Sequence, residues 1–258
     1  EAYRESFEKF TSLIRPDGCL LIKKGINVTP RLQEGVKKYT YSVTEIADFY
    51  AENIRICDGN ITFDFVGPEI RIPDVELGVP VKVNIENGVA AMAIAWLNGV
   101  KPEDLKKGMA TFAGPRRRFD FHLKTDQVVL IDDYAHHPQE IAATLAAAKN
   151  YPHKKLWCVF QPHTYTRTKA FLDQFAQALS AADEVVLADI YAARETDTLG
   201  ISSADIAERI EKLGTKAHYF KSFDEIETFL LENCMHGDLL ITMGAGDIVK
   251  VGENLLGE

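Results

Sequence analysis

"QVVLIDDYAHHPQEIAATLAAAK", residues 127–149, decides the fold. Its opening apolar run is rich in valine and too short for a helix, which makes it a buried strand. Pro138 then stands where a helix tolerates proline best, at the first helical position, ahead of an alanine-rich stretch. Strand, polar turn and helix in that order form the repeating unit of an α/β sheet. Downstream the rhythm continues, with strands at "LWCVFQP", "EVVLADI", "AHYF" and "DLLITMGAG" and helices over 166–180, 202–213, 223–234 and 247–256. Such alternation implies right-handed crossovers, and so a Rossmann-like, mostly parallel sheet with flanking helices over 114–258.

Upstream of Gly114 the pattern is different. "ESFEKFTSLI" has helical spacing, and "GCLLIKK" reads as a short buried strand. "ENIRICDGNITFDFVGPEIRIPDVEL" reads as a three-stranded antiparallel meander with turns at Asp58-Gly59-Asn60 and Gly67-Pro68. "NGVAAMAIAWLNGV" is an alanine-rich helix ended by Asn98-Gly99, and "KPEDLKKGMATFAG" a second helix opening near Pro102. "GPRRRF" interrupts the periodicity and marks a hinge between two pieces, 1–113 and 114–258. The first piece starts on a helix with no strand before it, which is expected of a segment cut from a longer chain.

Composition narrows the partners. The chain has 258 residues, 46% hydrophobic and 26% charged, enough for packed cores, and a net charge of -9 argues against nucleic acid as a partner. Cys19, Cys57, Cys158 and Cys234 are far apart, with no C-x-x-C pair, and read as reduced core thiols. No charged-then-apolar leader is visible, and the apolar runs are far shorter than the roughly 20 residues of a membrane helix. The expectation is a cytoplasmic protein with no membrane partner.

In an open α/β sheet, ligands gather beyond the carboxyl ends of the strands. "DDYAHHP", "QPHTYTR", "YAARETD" and "GAGD" all fall there. Asp132, Asp133, His136 and His137 read three ways: metal ligands, turn residues ahead of Pro138, or a polar substrate or nucleotide site. Arg116, Arg117 and Arg118 read as a solvated charge run or as an anion clamp at the hinge. "MGAGD" is either a tight strand-to-helix turn or a backbone anion cradle. Asn84 and Asn87 share a helical face, where Asn84 is either a cap or one of two amides reading a base edge. The phosphate loop G-x-x-x-x-G-K-[ST] is absent.

Taken together, "NIENGVAAMAIA", "FAGPRRRF", "DDYAHHPQEI", "FQPHTYTRT" and "TMGAGDI", in this order, resemble the Mur ligases, most closely the members that add L-alanine. The resemblance implies that 1–113 is the C-terminal part of the family's central ATP-binding domain, a partial domain containing the antiparallel meander. It makes 114–258 the family's C-terminal domain. It also implies an ADP-forming ligation of L-alanine to UDP-N-acetylmuramate through an acyl phosphate, in peptidoglycan precursor synthesis, with ATP and Mg2+ bound mainly by an upstream part. A piece without that part is expected to be inactive alone, and its open sheet edge to be a place where copies pair.

The resemblance also assigns residues. Asn84 and Asn87 match an element facing adenine, although Val83 stands where many members have histidine. Arg117 and Arg118 match the hinge element that reaches ATP phosphates after domain closure, and Asp133 the acid that contacts the ribose. Tyr134, His136 and His137 match the loop that looks into the acceptor site, with either histidine able to take the proton of the incoming ammonium or to orient it. His163 and Arg167 match residues beside the amino acid's carboxylate, while Thr164 stands where a further arginine is frequent. Other readings remain: a muramate ligase that recycles a preformed tripeptide, a non-catalytic α/β binding module, and a metal hydrolase built on Asp133, His136, His137 and His163.

Overall fold

The computed structural model describes residues 2–57, 60–79 and 81–257; the Asp58-Gly59 turn and the Cys57 side chain lie outside what it describes. The chain folds as two compact units, Glu1–Phe112 and Ala113–Glu258.

The first unit runs α1 (Ala2–Thr11), β1 (Cys19–Lys23), β2 (Lys37–Ser42), β3 (Phe49–Cys57), β4 (Asn60–Gly67), β5 (Ile70–Leu77), α2 (Lys82–Leu97) and α3 (Pro102–Thr111). Its five strands lie in sequence order. β3, β4 and β5 form the expected antiparallel meander, but β1, β2 and β3 pair in parallel, so the sheet is mixed. β2, "KKYTYS", escaped the sequence reading because it is short and mostly polar. β1 is half-buried with exposed ends, not the buried strand expected, because it is the outermost strand of this sheet. Phe49, Phe63, Phe65 and Val75 pack under Ile85, Val89 and Met92 of α2, all with exposures of 2% or less. Each such side chain contributes roughly 1.5–3 kcal/mol on burial. Lys82 starts α2, with Val81 at the cap. Asn84 therefore lies within the first turn and is not the helix cap.

The second unit contains β6 (Asp120–Lys124), β7 (Val129–Asp133), α4 (Pro138–Ala148), β8 (Leu156–Phe160), α5 (Tyr165–Ala170), α6 (Leu172–Leu179), β9 (Glu184–Leu187), α7 (Ser203–Lys212), β10 (Lys216–Tyr219), α8 (Phe223–Asn233), β11 (Leu239–Met243) and α9 (Val249–Leu256). The sheet order is β10-β9-β8-β11-β7-β6, parallel throughout except for β6. This is the α/β architecture expected, with an antiparallel edge strand added. The helix expected over 166–180 is two helices, broken at Phe171, whose φ of -119° and ψ of 23° end one and begin the next. One face of the sheet buries Leu130, Trp157, Val159, Val186 and Leu240 against α8 and α9. The other face is covered by α4, α6 and α7, which pack on one another. Covering both faces is what permits near-continuous apolar strands.

Candidate functional site

The carboxyl end of β7 delivers Asp132 and Asp133, and the chain then turns through Tyr134–His137 into α4. Local chemistry fixes that turn. Glu140, in the first turn of α4, accepts from the backbone N–H groups of His136 and His137, both at 3.1 Å, and His137 Nδ1 accepts from Gln139 N at 3.5 Å. His137 is thus the helix's N-cap, in a capping box with Glu140. Asp133 is 8% exposed. Its Oδ1 accepts from Ala135 N at 2.7 Å and its Oδ2 from Phe119 N at 2.8 Å. Burial pushes its pKa up, and those two backbone bonds oppose the shift.

Arg117 is committed inside this unit. Its Nε donates to Asp132 Oδ2 at 2.9 Å, its Nη1 to Gly246 O at 3.0 Å and its Nη2 to Gly244 O at 2.7 Å, and its guanidinium lies 4.9 Å from the centre of the Tyr134 ring. Asp132, 1% exposed, also accepts from Thr242 Oγ1 at 2.7 Å. The Gly-Ala-Gly turn after β11 therefore presents carbonyl oxygens to a cation here. The turn's glycines answer to packing: a Cβ at Gly244 would stand 2.7 Å from Gln161 O, and one at Gly246 2.2 Å from Gln161 Oε1. Of the two hinge arginines expected at phosphate, Arg117 is engaged in this way, whereas Arg118 is exposed.

Three expected acceptor residues come together. The His136 ring lies 5.4 Å from Tyr134 and 5.9 Å from His163, edge to face. His136 Nδ1 is 2.9 Å from Tyr134 O. A carbonyl only accepts, so Nδ1 carries the hydrogen and Nε2 keeps its lone pair in the neutral ring. His163 stacks on Tyr191, rings 5.8 Å apart, and its Nδ1 is buried without a hydrogen-bond partner; Arg167 Nη1 is buried in the same condition. Burial, and then the neighbouring Arg167 and His136, hold the His163 pKa below its usual value. His137 packs away from this group, against Phe171 at 5.0 Å.

In the first unit, Asn87 Nδ2 donates to Asn84 Oδ1 at 3.4 Å and Asn84 Nδ2 to Val79 O at 3.3 Å. The pair borders a cavity of about 190 Å³ lined by Leu77, Gly88, Ala91, Gly108, Met109 and Phe112. Its apolar walls and two rim amides suit a flat heterocycle with hydrogen-bonding edges.

Among the described residues no three His, Cys, Asp or Glu side chains are grouped so as to hold a metal ion. The hydrolase set fails on geometry, since Asp133 faces backbone and His137 faces Phe171. Sequence reasoning missed Tyr191 as the stacking partner of His163, and Glu195, which accepts from Thr166 N at 3.0 Å. Both lie in the loop after β9, where the clustered polar residues of "YAARETD" were the available signal.

The model for the family described as "Mur ligase, glutamate ligase domain" matches residues 117–246. The UDP-N-acetylmuramate–L-alanine ligase of Parabacteroides distasonis is 80% identical over 211 residues, covering 81% of this chain and 46% of that protein. The Phocaeicola vulgatus protein of the same name is 51% identical over 249 residues, covering 96% and 53%. The chain thus spans about half the length of these curated relatives. In fold it resembles the crystal structure of UDP-N-acetylmuramate-alanine ligase from Thermotoga maritima, with a TM-score of 0.81 and 24% identity over 99% of this chain and 54% of that one. With its second unit matched from Arg117 to Gly246, the chain belongs to the Mur ligase family.

Proposed function

We propose that the full-length protein carrying this chain is an ATP-dependent, ADP-forming ligase that joins L-alanine to UDP-N-acetylmuramate in peptidoglycan precursor synthesis. The observation that carries this reading is the pair of buried, unpartnered nitrogens, His163 Nδ1 on the loop after β8 and Arg167 Nη1 in the first turn of α5, with His136 of the loop after β7 against the His163 ring. An unpaired buried polar group is costly, so such a pair is kept where a ligand completes it. An amino acid's carboxylate has the charge and the two oxygens to do so. The names of the 80% and 51% identical relatives supply the choice of amino acid and sugar nucleotide.

In this reading Glu1–Phe112 is the end of the central ATP-binding domain and Ala113–Glu258 the C-terminal domain. Asn84 and Asn87 face adenine across their apolar cavity. Arg118, exposed at the hinge, meets phosphate oxygens, while Arg117 keeps Tyr134 and the turn after β11 in place. Asp133 takes the ribose edge with the lone pairs its backbone bonds leave. His136 Nε2, with its lone pair available, accepts the ammonium proton or holds the amine for attack; His137 shapes the loop. Magnesium would balance charge on the phosphates. In this reading it is held mainly by the rest of the protein.

ADP release by the full-length protein, with ATP and UDP-N-acetylmuramate present, tests this when L-alanine, glycine, L-serine and a muramyl tripeptide are compared. Release that requires L-alanine is expected. Release driven by the tripeptide transfers the assignment to the recycling ligases, and no release with any acceptor overturns it.

A further inference from the structure

The loop that carries His163, and the first turn of α5 that carries Arg167, are held by a residue that the assignment above leaves unused. α5 begins at Tyr165, one residue after Thr164, whose φ of 65° and ψ of 143° are unusual for a residue with a side chain, and Thr164 makes no side-chain cap bond. The N–H groups of that first turn need an acceptor from elsewhere. The loop after β9 provides it. Glu195 Oε2 accepts from Thr166 N at 3.0 Å, and Glu195 Oε1 accepts from the Thr166 hydroxyl. The same two loops are joined by Tyr191 N to Pro162 O at 2.8 Å, by Thr164 N to Tyr191 O at 2.9 Å, and by the stacked His163 and Tyr191 rings.

We propose that Glu195 is a positioning residue for the amino acid acceptor: it caps α5 from a neighbouring loop and so fixes the direction of His163 and Arg167 without itself contacting substrate. The inference rests on the ligase reading. Arg167 is the third residue of α5, so a first turn that frays moves its guanidinium directly. His163 is pinned through Tyr191, four residues before Glu195 in the same loop. The hydrogen bonds from Thr166 hold the Glu195 carboxyl below its ordinary pKa, as expected for an acceptor used by helix N–H groups.

The test is steady-state kinetics on the full-length protein with E195A, T166V and the double variant, each checked for an unchanged thermal midpoint within a few degrees. For E195A the KM for L-alanine is expected to rise about tenfold, with kcat at saturating L-alanine altered less than about threefold and the KM for ATP unmoved. T166V removes one of the two bonds and is expected to give a smaller rise. The double variant is expected to be no worse than E195A, because both changes break one connection. Additive effects would overturn the inference in favour of direct contact between Glu195 and the incoming ammonium, and an unchanged KM for L-alanine in E195A would overturn it outright. A wild type with no amino-acid-dependent ADP release would bring down the ligase reading, and this inference with it. An active wild type with an indifferent E195A would bring down the inference alone.

Discussion

Arg117 and Asp132 form a nearly enclosed ion pair, Nε to Oδ2 2.9 Å, with the carboxylate 1% exposed and the guanidinium side chain 25% exposed. The backbone around it is unusual. Arg117 has φ 58° and Phe119 φ 52°, in the region that favours glycine, and both are held by carboxylates, Arg117 N on Asp120 Oδ2 at 3.0 Å and Phe119 N on Asp133 Oδ2 at 2.8 Å. Two left-handed residues cost of order 1–3 kcal/mol each. The surrounding bonds offset that cost and hold residues 117–119 in one conformation within the second unit.

Replacing Arg117 by alanine is expected to destabilise the chain by about 3 kcal/mol at neutral pH, because it leaves Asp132 buried with Thr242 as its remaining partner. The loss should depend on pH in a definite direction. Burial already raises the Asp132 pKa, against the opposing bonds from Thr242 and Arg117. Removing Arg117 raises it further. A carboxylate whose folded pKa exceeds its unfolded value favours the folded state least when ionised, so the deficit should widen as pH rises past the wild type's raised folded pKa toward the variant's still higher one. Urea unfolding of both proteins from pH 4 to 8 measures the gap; one that narrows with rising pH would contradict the burial argument.

His163 gives the opposite slope. Its folded pKa lies below the usual 6.5, through burial and then Arg167 and His136, so the unfolded chain binds its proton more readily. Its contribution is intact above about pH 6.5 and is lost as pH falls through the lower folded value. His163→Gln should flatten the acid side of the stability curve below about pH 6.5. Thermal midpoints across that range test it, and a variant curve parallel to wild type would refute the assignment.

The turn after β11 should not tolerate side chains. Gly244 has φ +148° and would bring a Cβ to 2.7 Å from a backbone oxygen, whereas at Gly246 the obstacle is the Gln161 side-chain amide at 2.2 Å. Gly244→Ala is therefore expected to cost about 2 kcal/mol or more, since backbone must move. Gly246→Ala should cost less by itself and be partly rescued by Gln161→Ala, which removes the obstructing atom. A thermodynamic cycle over the four proteins distinguishes the two glycines.

Thiol labelling should separate the cysteines. Cys19 is exposed on β1, Cys234 is half-buried with its pKa pushed up to about 11 by burial, and Cys158 is fully buried with its thiol pKa raised further by the same cause. The expected order with a thiolate-specific reagent at pH 8 is Cys19 first, Cys234 slowly, and Cys158 on unfolding, followed by peptide mass mapping. This corrects the expectation that the cysteines are all core residues: β1 lies at the margin of its sheet, and one of its outward positions happens to be a cysteine.

The second unit was legible because its strands are buried on both faces and read as unbroken apolar runs, with Pro138 and the glycine turns as punctuation. β6 was not, because "DFHLK" is a half-buried edge strand whose polar residues follow directly on the arginine run. Nor was the break at Phe171, where an otherwise continuous helical pattern is split by a single residue's backbone angles. At the site, residue types were legible and their partners were not. The sequence places two arginines side by side, but only the fold shows that Arg117 faces Asp132 and two carbonyls while Arg118 faces solvent. Glu195 and Thr166 are 29 residues apart, a separation that local pattern reading does not bridge.

β11, the last of this unit's strands in chain order, is inserted between β7 and β8, near the middle of its sheet. Until Leu239–Met243 leave the ribosome, β7 and β8 have no shared neighbour, and the carbonyls that receive Arg117 do not yet exist. Joining β6–β7 to β8–β9–β10 must therefore wait until every other described strand of the sheet has been made, with the facing edges of β7 and β8 unpaired in the interval. A translational stop shortly before Leu239 would remove the keystone of the sheet, leaving a product for the cell's proteases.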